Sequence, residues 1–443
     1  MSSFILGMFS LLVFVFNIPG TIALRNVLSV LLLLLLVVVW LKKKAETAHL
    51  TSNSLFNAVI LILLILTLYI FFHSLYVSHD PNWSLGEFKS HWFYPVIYLF
   101  IGILLAFITK LKSGFSKESL ITFLFLVIFS HILYVDMVTL DRFIVSDIVI
   151  RRYGGLTQSP VLASYLTNVL IAMIFSEAIY RIRTGNSVLK ISNNILAMIF
   201  VLSLTSVMIE SMRFGVLTLF SLGMAAIFFL FIGNDKISKT LKWIYFAIIL
   251  LVLSIPIVHS VSTDSRWNSL VETVLIAYDT ESNLNWADHS LAAPKLSNGQ
   301  NVDASNYWRV SWAFKAIEYI KDNPIGIGYG RNSFGHAIQI NEGIDSARGK
   351  HAHSSILSFT IGIGIVGLAL WLSFVVFLLV LSVKKFALNY SYFAINLFFL
   401  VSGFFFRSVV DGNMKDHMFQ QFMLMLGIYL ALLVYENIES RSS

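Results

Sequence analysis

The sequence predicts an all-α protein that crosses a membrane about twelve times. Hydrophobic residues make up 57% of the chain and charged residues only 12%, against about 25% charged residues in a soluble domain. Apolar runs recur along the chain, and each is long enough to cross the ~30 Å hydrocarbon core of a bilayer. The chain contains no cysteine, so disulfides and cysteine-based metal or redox centres are excluded.

Twelve apolar segments define the predicted helices. The first starts at Phe4 without a basic region before it or a small-residue cleavage site, so we interpret it as a retained helix rather than a signal peptide. Pro19 and Gly20 mark its predicted end. The segments are 4–22, 24–41, 54–77, 92–109, 119–140, 158–180, 192–209, 212–233, 241–260, 353–383, 388–407 and 417–435.

Basic residues predict the orientation of these helices. Every second loop between the predicted helices is rich in lysine, and the loops between them hold few lysines. By the positive-inside rule, the lysine-rich loops are cytoplasmic. Both termini are then cytoplasmic, and the long polar segment 261–352 lies outside. The residues that support this assignment are Lys42, Lys43, Lys44, Lys110, Lys112, Lys117, Arg181, Arg183, Lys190, Lys236, Lys239, Lys242, Lys384 and Lys385.

This topology divides the chain into four parts. They are N-terminal helices in 1–134, central helices in 135–260, one large outer loop in 261–352 and C-terminal helices in 353–443.

Three outer segments have predicted structure of their own. Charges interspersed between Val135 and Pro160 predict an amphipathic helix on the outer surface, which Gly154 and Gly155 end. The loop 78–91 is predicted to be short and turn-like. In the large loop, apolar residues at helical spacing predict a helix over Asn306–Ile320, ended by Asn323 and Pro324.

Arginine and lysine are distributed unequally between the two sides. The predicted cytoplasmic side holds twelve lysines and three arginines, whereas the outer side holds six lysines and ten arginines. Guanidinium groups offer a planar fork of donors that matches phosphate and carboxylate oxygens, which favours an anion site on the outer side. The alternative is ordinary pairing with outer carboxylates. The ten arginines of the outer side are Arg25, Arg142, Arg151, Arg152, Arg213, Arg266, Arg309, Arg331, Arg348 and Arg407.

Two of these arginines lie close to the predicted membrane boundary, where an unpaired charge is costly. Arg213 follows Glu210 with almost no polar loop between them, so the two could pair on one helical face. Arg407 ends the eleventh apolar segment, and its candidate partner is Asp411, four residues later.

His351 and His353 lie where the large loop ends and an apolar segment begins. A neutral imidazole, with a usual pKa of roughly 6.5, is suited to accept a proton near neutral pH. The alternative is a pair of interfacial histidines without a chemical role.

Other patterns do not indicate a cofactor. The three glycines of 326–330 have no predicted strand before them, and the third does not have the spacing of a dinucleotide fingerprint. They predict a tight turn beneath the candidate site instead. His336, His351 and His353 have no recognised ligand spacing, so no metal site is predicted. No serine-centred nucleophile elbow is present.

Several of these residues resemble a known family. His353-Ser354, followed by Gly364 and Gly367, resembles a signature at the start of a late membrane helix in the O-antigen ligase and polymerase superfamily. Arg213 with Leu217 is similar to the family's Arg-three-residues-Leu element.

The large loop also contains elements that are similar to those of the family, in the same order. They are Asp264-Ser265-Arg266-Trp267 and Tyr307-Trp308-Arg309, the latter leading to Asn323-Pro324. The resemblance covers roughly residues 135–435. Two departures, Ser354 in place of the usual asparagine and Met212 before Arg213, leave the substrate preference open.

The resemblance implies a GT-C-like inverting glycosyltransferase of the bacterial inner membrane, with its site facing the periplasm. Its donor would be a glycan on undecaprenyl diphosphate and its acceptor a hydroxyl of lipid A-core, with no cofactor, metal, nucleotide or nucleic acid. His353 would be the general base, and Arg213, Arg266 and Arg309 would bind the diphosphate. Supporting candidates are His351, Arg151, Arg152, Arg331, Arg348 and Arg407.

Three alternatives remain. An O-antigen polymerase would use similar chemistry but often has two large outer loops, and a protein-directed oligosaccharyltransferase usually has a further C-terminal domain. A lipid-glycan transporter would carry ionisable groups near the bilayer midplane and internal repeats. The sequence predicts neither the glycan's identity nor the oligomeric state.

Overall fold

The computed structural model describes residues 1–43, 53–111, 114–148, 150–232, 238–345 and 349–442. Within these ranges the chain is helical and has no strand beyond one isolated bridge between Lys295 and Asn301. Eleven of the described helical stretches are long and apolar enough to cross a membrane, and the shorter apolar helix Ser2–Val15 precedes them. One of the eleven, Pro81–Ile108, consists of two α-helices joined by a π-helical turn at Lys89–Phe93. The predicted all-α polytopic fold is confirmed, and each of the twelve predicted segments corresponds to one of these helices.

The helices are numbered in chain order. Those of the membrane bundle are α1 Ser2–Val15, α2 Ile22–Lys42, α3 Ser54–Tyr76, α4 Pro81–Phe88, α5 Tyr94–Ile108, α6 Lys117–Ser146, α7 Pro160–Thr184, α8 Asn193–Glu210, α9 Arg213–Phe231, α10 Lys239–Thr263, α14 Ser355–Asn389, α15 Tyr392–Val410 and α16 Asp416–Ser442. The large loop contributes α11 Leu270–Tyr278, α12 Ala304–Asp322 and α13 Ser333–Glu342. Lys44, Lys112, Lys236 and Arg348 lie outside the described residues.

Polar side chains cap several of the spanning helices. A serine or asparagine before the first turn accepts a hydrogen bond from a backbone N–H that would otherwise lack a partner inside the membrane. These residues are Asn53, Ser116, Ser192, Ser238 and Ser391.

The bundle is packed around α16, of whose most apolar stretch 94% is buried. Its closest neighbour is α5, because Gly102 and Gly427 let the two backbones touch: a Cβ at Gly102 would clash with the carbonyl oxygen of Leu424. By contrast, only 11% of the most apolar stretch of α10 is buried. The bundle is therefore dense on the α16 side and loosely packed beside α10.

Two predictions about outer segments are wrong. Residues 135–146 do not form a separate surface helix, because α6 continues without a break to Ser146 and ends at Asp147, which is left-handed. The 78–91 loop is also helical. There, Asp80 accepts a hydrogen bond from the Trp83 N–H at 3.1 Å and Pro81 occupies the first helical position, which together start α4.

The large loop folds into a compact unit on the end of the bundle, called here the outer end. Its own apolar cluster includes Trp286, Tyr307, Trp312 and Phe334, all buried. The predicted helix over Asn306–Ile320 is confirmed as α12. This helix packs against both α11 and α14, and so connects the loop to the membrane helix that follows the two histidines.

Candidate active site

His353 is held by the start of α14 and by α12. Ser354 caps α14 by accepting a hydrogen bond from the Leu357 N–H at 3.3 Å. The residue before it, His353, has a left-handed backbone with φ +50°, a conformation that is uncommon outside glycine and that often marks a functional position. Its imidazole stacks on Trp312, with ring centroids 5.3 Å apart, and the His351 ring lies edge-on at 4.2 Å.

The glycine-rich turn packs directly beneath this junction. The Gly328 N–H donates to the carbonyl of Gly362 at 2.9 Å, so the turn pairs with the first turns of α14. A Cβ on Gly326 would lie 2.5 Å from the Gly364 nitrogen, and one on Gly364 would clash with the Ile325 backbone. Only glycine permits this approach, which explains the residue type at these positions.

Asp264 brings two of the predicted phosphate ligands together. Its carboxylate accepts hydrogen bonds from Arg266 Nε and Nη2, each at 2.6 Å, and lies 3.5 Å from the Nε of Arg213. Burial raises the pKa of this carboxyl, but the hydrogen bonds and charges of the two arginines hold the pKa below its usual range. Arg213 also lies over the ring of Trp267, at 5.7 Å from the centroid.

The alternative pairing of Arg213 with Glu210, which required a continuous helix, is not present. Helix α8 ends at Glu210, Ser211 adopts a left-handed conformation, and α9 begins at Arg213, so the two residues do not share a continuous helix. The buried Glu210 carboxylate instead accepts a hydrogen bond from Thr167 at 2.6 Å. Arg213 therefore turns to Asp264 of a distant segment.

Arg309, on α12, is within electrostatic reach of the other arginines and of the histidines. Burial lowers its pKa, the charge of Asp411 raises the pKa, and the charges of Arg266 and Arg152 lower it further. Its charge also acts on both His351 and His353. The Nε atom is buried and has no hydrogen-bond partner, and no ion pair joins the guanidinium to any residue that the structure describes.

A cationic cavity opens beside the arginines. It has a volume of about 260 Å³ and lies between the outer ends of α8 and α10. Arg151, Arg152, Arg266 and Asp264 line it. Since α10 is loosely packed against the bundle, the cavity lies next to the surface that faces lipid.

His353 lines a second, smaller cavity. It has a volume of about 20 Å³, room for about one water molecule, and is polar. The side chains of His351, Ser355, Arg331 and Lys415 share its lining with His353.

The environment keeps both histidines neutral. Burial lowers the pKa of His353 to about 3, with further lowering by His351, Arg309 and Lys415. Burial and Lys415 likewise lower the pKa of His351 to about 4. A neutral imidazole can accept a proton. An anion bound to Arg309 or Lys415 would offset the positive charge and raise the basicity of His353.

The supporting candidates are in different environments. Arg407 is only 1% exposed, lies 3.0 Å from Asp411 and donates to the Val161 carbonyl at 2.8 Å, so it is a structural residue and its candidate pairing with Asp411 is present. Arg331 is 44% exposed at the rim of the histidine cavity. Arg151 and Arg152 are exposed in the arginine cavity, and Arg348 lies outside the described residues.

Two residues of the site were missed in the sequence. Trp312 was predicted only as part of an apolar helix face, and nothing local indicates that it stacks on a histidine 41 residues away. Lys415 could have been found, since it is an outer lysine immediately before a spanning helix, whereas most of the other outer lysines belong to the large loop.

Comparison with known proteins supports the resemblance. Residues 198–372 match the family model described as O-antigen ligase. The matched region runs from α8 into α14 and includes Arg213, Arg266, Arg309 and His353. No curated protein matches the chain significantly.

Proposed function

We propose, from the O-antigen ligase match over residues 198–372, that this membrane protein moves a glycan from undecaprenyl diphosphate to a hydroxyl of lipid A-core. The match itself supports a function of the O-antigen ligase or polymerase type in lipopolysaccharide biosynthesis. The single observation that carries the proposal is Arg309, a partly buried arginine whose buried Nε has no hydrogen-bond partner and which forms no ion pair with a described residue, with a candidate base and two further arginines within electrostatic reach.

The arginines are suited to stabilise a diphosphate leaving group. A buried guanidinium without a counter-ion is costly, and an anionic ligand removes that cost. Arg213 and Arg266 share the single carboxylate of Asp264, so positive charge remains in excess around them. Preorganised cations of this kind stabilise charge that develops on a leaving oxygen. In this proposal Arg309, with Arg213 and Arg266, binds the diphosphate.

His353 then acts on the acceptor. The acceptor hydroxyl oxygen forms a bond to the anomeric carbon, while the bond between that carbon and the diphosphate oxygen breaks. The hydroxyl proton passes to His353, and the bonding electron pair leaves with the diphosphate. A single displacement of this kind inverts the anomeric carbon. General-base assistance contributes about 10²–10⁴-fold to such a step.

Topology supports a site on the periplasmic face of the inner membrane. The lysine-rich loops are assigned to the cytoplasm by the positive-inside rule, and the large loop with His353 and Arg309 belongs to the opposite side. Both substrates of the proposed reaction are lipids, which enter from the bilayer. The arginine cavity beside the loosely packed α10 suits such entry.

The test is a reconstituted transfer assay with purified protein in liposomes. Undecaprenyl-diphosphate glycan is the donor, and lipid A-core and a second lipid-linked glycan compete as acceptors. We expect glycan on lipid A-core, with at least 100-fold less product for His353→Ala and for Arg309→Gln. Arg142→Gln, at the exposed end of α6, is the matched control and should retain activity.

Product identity separates the alternatives. Elongated lipid-linked glycan in place of modified lipid A-core would make the protein a polymerase, although the single large outer loop favours a ligase. A folded protein that forms no covalent product but moves the donor across the bilayer would instead be a transporter. Full activity of His353→Ala would exclude His353 as the general base.

A further inference from the structure

We propose that Lys415, assisted by Arg331, binds a phosphate group carried by the acceptor glycan, close to the hydroxyl that His353 deprotonates. This inference rests on the proposed function and deepens it, because it assigns a chemical feature to the acceptor. It is carried by the cavity that the two cations share with His353.

Lys415 has no carboxylate within ion-pair distance among the described residues, and Asp416 and Asp411 act on its charge only from farther away. Its ammonium makes no hydrogen bond or ion pair with any residue in the described ranges, and a Cβ placed on Gly412 would lie 3.5 Å from its Nζ. Burial lowers the pKa of Lys415. Enclosing an ammonium without a partner is unfavourable unless a ligand supplies the opposite charge.

The carboxylates near Lys415 are already engaged. Asp411 pairs with Arg407 at 3.0 Å and accepts a hydrogen bond from the Gly412 N–H at 2.8 Å. Asp416 lies 3.5 Å from Arg331 and 3.6 Å from His91. Neither carboxylate is within ion-pair distance of the lysine. An external anion is therefore the partner that the pocket lacks.

The position of the cavity indicates the acceptor rather than the donor. A general base must lie within hydrogen-bond distance of the hydroxyl that it deprotonates, so the acceptor hydroxyl occupies the cavity that His353 lines. That cavity is lined by Lys415 and Arg331, whereas Arg151, Arg152 and Arg266 line the separate arginine cavity. The two substrates thus have their own cationic sites.

The dimensions of the cavity define which part of the acceptor enters. A volume of about 20 Å³ admits a hydroxyl but not a phosphate. Arg331 is 44% exposed and marks the rim. The phosphate therefore lies at the rim, on the sugar that carries the accepting hydroxyl or on its neighbour. Lysine is a common phosphate ligand as a compact point charge, and the arginine adds a planar fork.

The test measures binding and transfer separately. Core oligosaccharide, released from lipid A and used with or without enzymatic removal of its phosphates, is titrated against the full-length protein in zwitterionic nanodiscs by microscale thermophoresis. We expect wild type to bind the phosphorylated form about tenfold more tightly. Lys415→Met should lose this preference, and Arg331→Gln should reduce it. Lys321→Met, at an exposed position of α12, should retain it.

The transfer assay tests the same inference by comparing the KM values for the phosphorylated acceptor, the dephosphorylated acceptor and the donor. For Lys415→Met, the acceptor KM should rise about tenfold with phosphorylated lipid A-core and stay unchanged with the dephosphorylated acceptor, while the donor KM stays unchanged. A rise in the donor KM instead would make Lys415 a diphosphate ligand and overturn the inference. An equal effect on both acceptors would also overturn it.

The two proposals fail in distinguishable ways. Wild-type transfer to lipid A-core without any preference for phosphate would leave the ligase function intact and remove the role of Lys415. Phosphate-dependent binding that is lost in Lys415→Met, without transfer by wild type, would retain the site and remove the ligase function. No binding and no transfer would remove both.

Discussion

The rings of His353 and Trp312 lie nearly parallel, 10° apart, with centroids separated by 5.3 Å. The tryptophan is itself held in place, because its indole N–H donates to the Trp286 carbonyl at 2.8 Å and 5% of the residue is exposed. Trp308 and His289 extend the stack outward, with centroids 3.9 Å apart. The ring of the candidate base is therefore packed against the large loop, while its backbone directly precedes the capped start of α14.

Trp312 is a positioning residue, and its replacement should lower the turnover rate without weakening donor binding. For Trp312→Leu we expect kcat to fall about 10–100-fold, because a misplaced base loses the near-attack geometry. Trp312→Phe retains a flat ring and should recover most of the rate. Steady-state kinetics with the donor varied would check this, with thermal unfolding as the control for folding. An equal loss in both variants would argue against stacking as the cause.

Asp264 should control donor affinity through the two arginines it holds. Asp264→Ala frees Arg213 and Arg266 to repel each other and adopt other rotamers, so we expect the donor KM to rise about tenfold with a smaller change in acceptor KM. Asp141→Asn, near the outer end of α6, is the matched control. A donor KM that stays at the wild-type value in Asp264→Ala would show that the two arginines do not bind the diphosphate.

The acid limb of the pH profile should differ between the free enzyme and its complexes. Burial lowers the pKa of His353 to about 3, so the neutral base persists in the free enzyme, and kcat/KM should stay level as the pH falls from 7 to about 5. An unperturbed histidine, with a pKa of about 6.5, would lose about fivefold in its neutral fraction, and so in rate, between pH 6.5 and 5.5. Bound diphosphate offsets Arg309, raises the pKa of His353 and moves the acid limb of kcat to higher pH.

Removing the positive charge of Lys415 should also move the acid limb of the pH profile. Lys415→Met removes a positive charge that lowers the pKa of His353, so the acid limb of kcat/KM should shift to higher pH in this variant. Initial rates from pH 4.5 to 8.5 would measure both shifts. A wild-type acid limb near pH 6.5 that does not move in Lys415→Met would show that another group limits the rate.

Gly364 should be required for folding of the site. Its φ is +72°, and a Cβ would clash with the backbone of Ile325, so Gly364→Ala should cost about 1–3 kcal/mol and separate the glycine turn from α14. Gly86→Ala is the control: this glycine is inside α4 with open space around it, and alanine there should be neutral or slightly stabilising. Thermal unfolding in detergent would measure the difference. Equal stability of the two variants would contradict this account of the turn.

Much of the fold was predictable because its determinants are local. A run of apolar residues must be helical in a bilayer, where every backbone N–H and C=O needs a partner within its own segment. This requirement predicted the twelve segments, whereas α12 and its end at Asn323 were predicted from the helical spacing of apolar residues and the Asn323-Pro324 stop. The errors at 78–91 and 135–146 also have local causes, because the Asp80 cap was overlooked and the spanning helix continues past the predicted end at residue 140 to Ser146.

The candidate site was predicted by residue type but not by arrangement. Histidine at a loop-to-membrane junction and arginines on the lysine-poor side indicated the chemistry, since each side chain has its own charge and hydrogen-bonding capacity. Pairing was less predictable. Sequence proximity offered Glu210 as an alternative partner of Arg213, whereas the carboxylate that lies beside Arg213 is Asp264, at the far end of α10.

The sequence by itself determined the membrane-spanning helices and the chemical groups available for catalysis, because hydropathy and ionisation are properties of short segments and single residues. Only the tertiary structure decided that Trp312 orients His353, that Asp264 joins Arg213 to Arg266, and that Arg309 and Lys415 lack carboxylate partners among the described residues. These relationships depend on how α12, α14 and the large loop pack together, and burial then sets the electrostatics of every group between them.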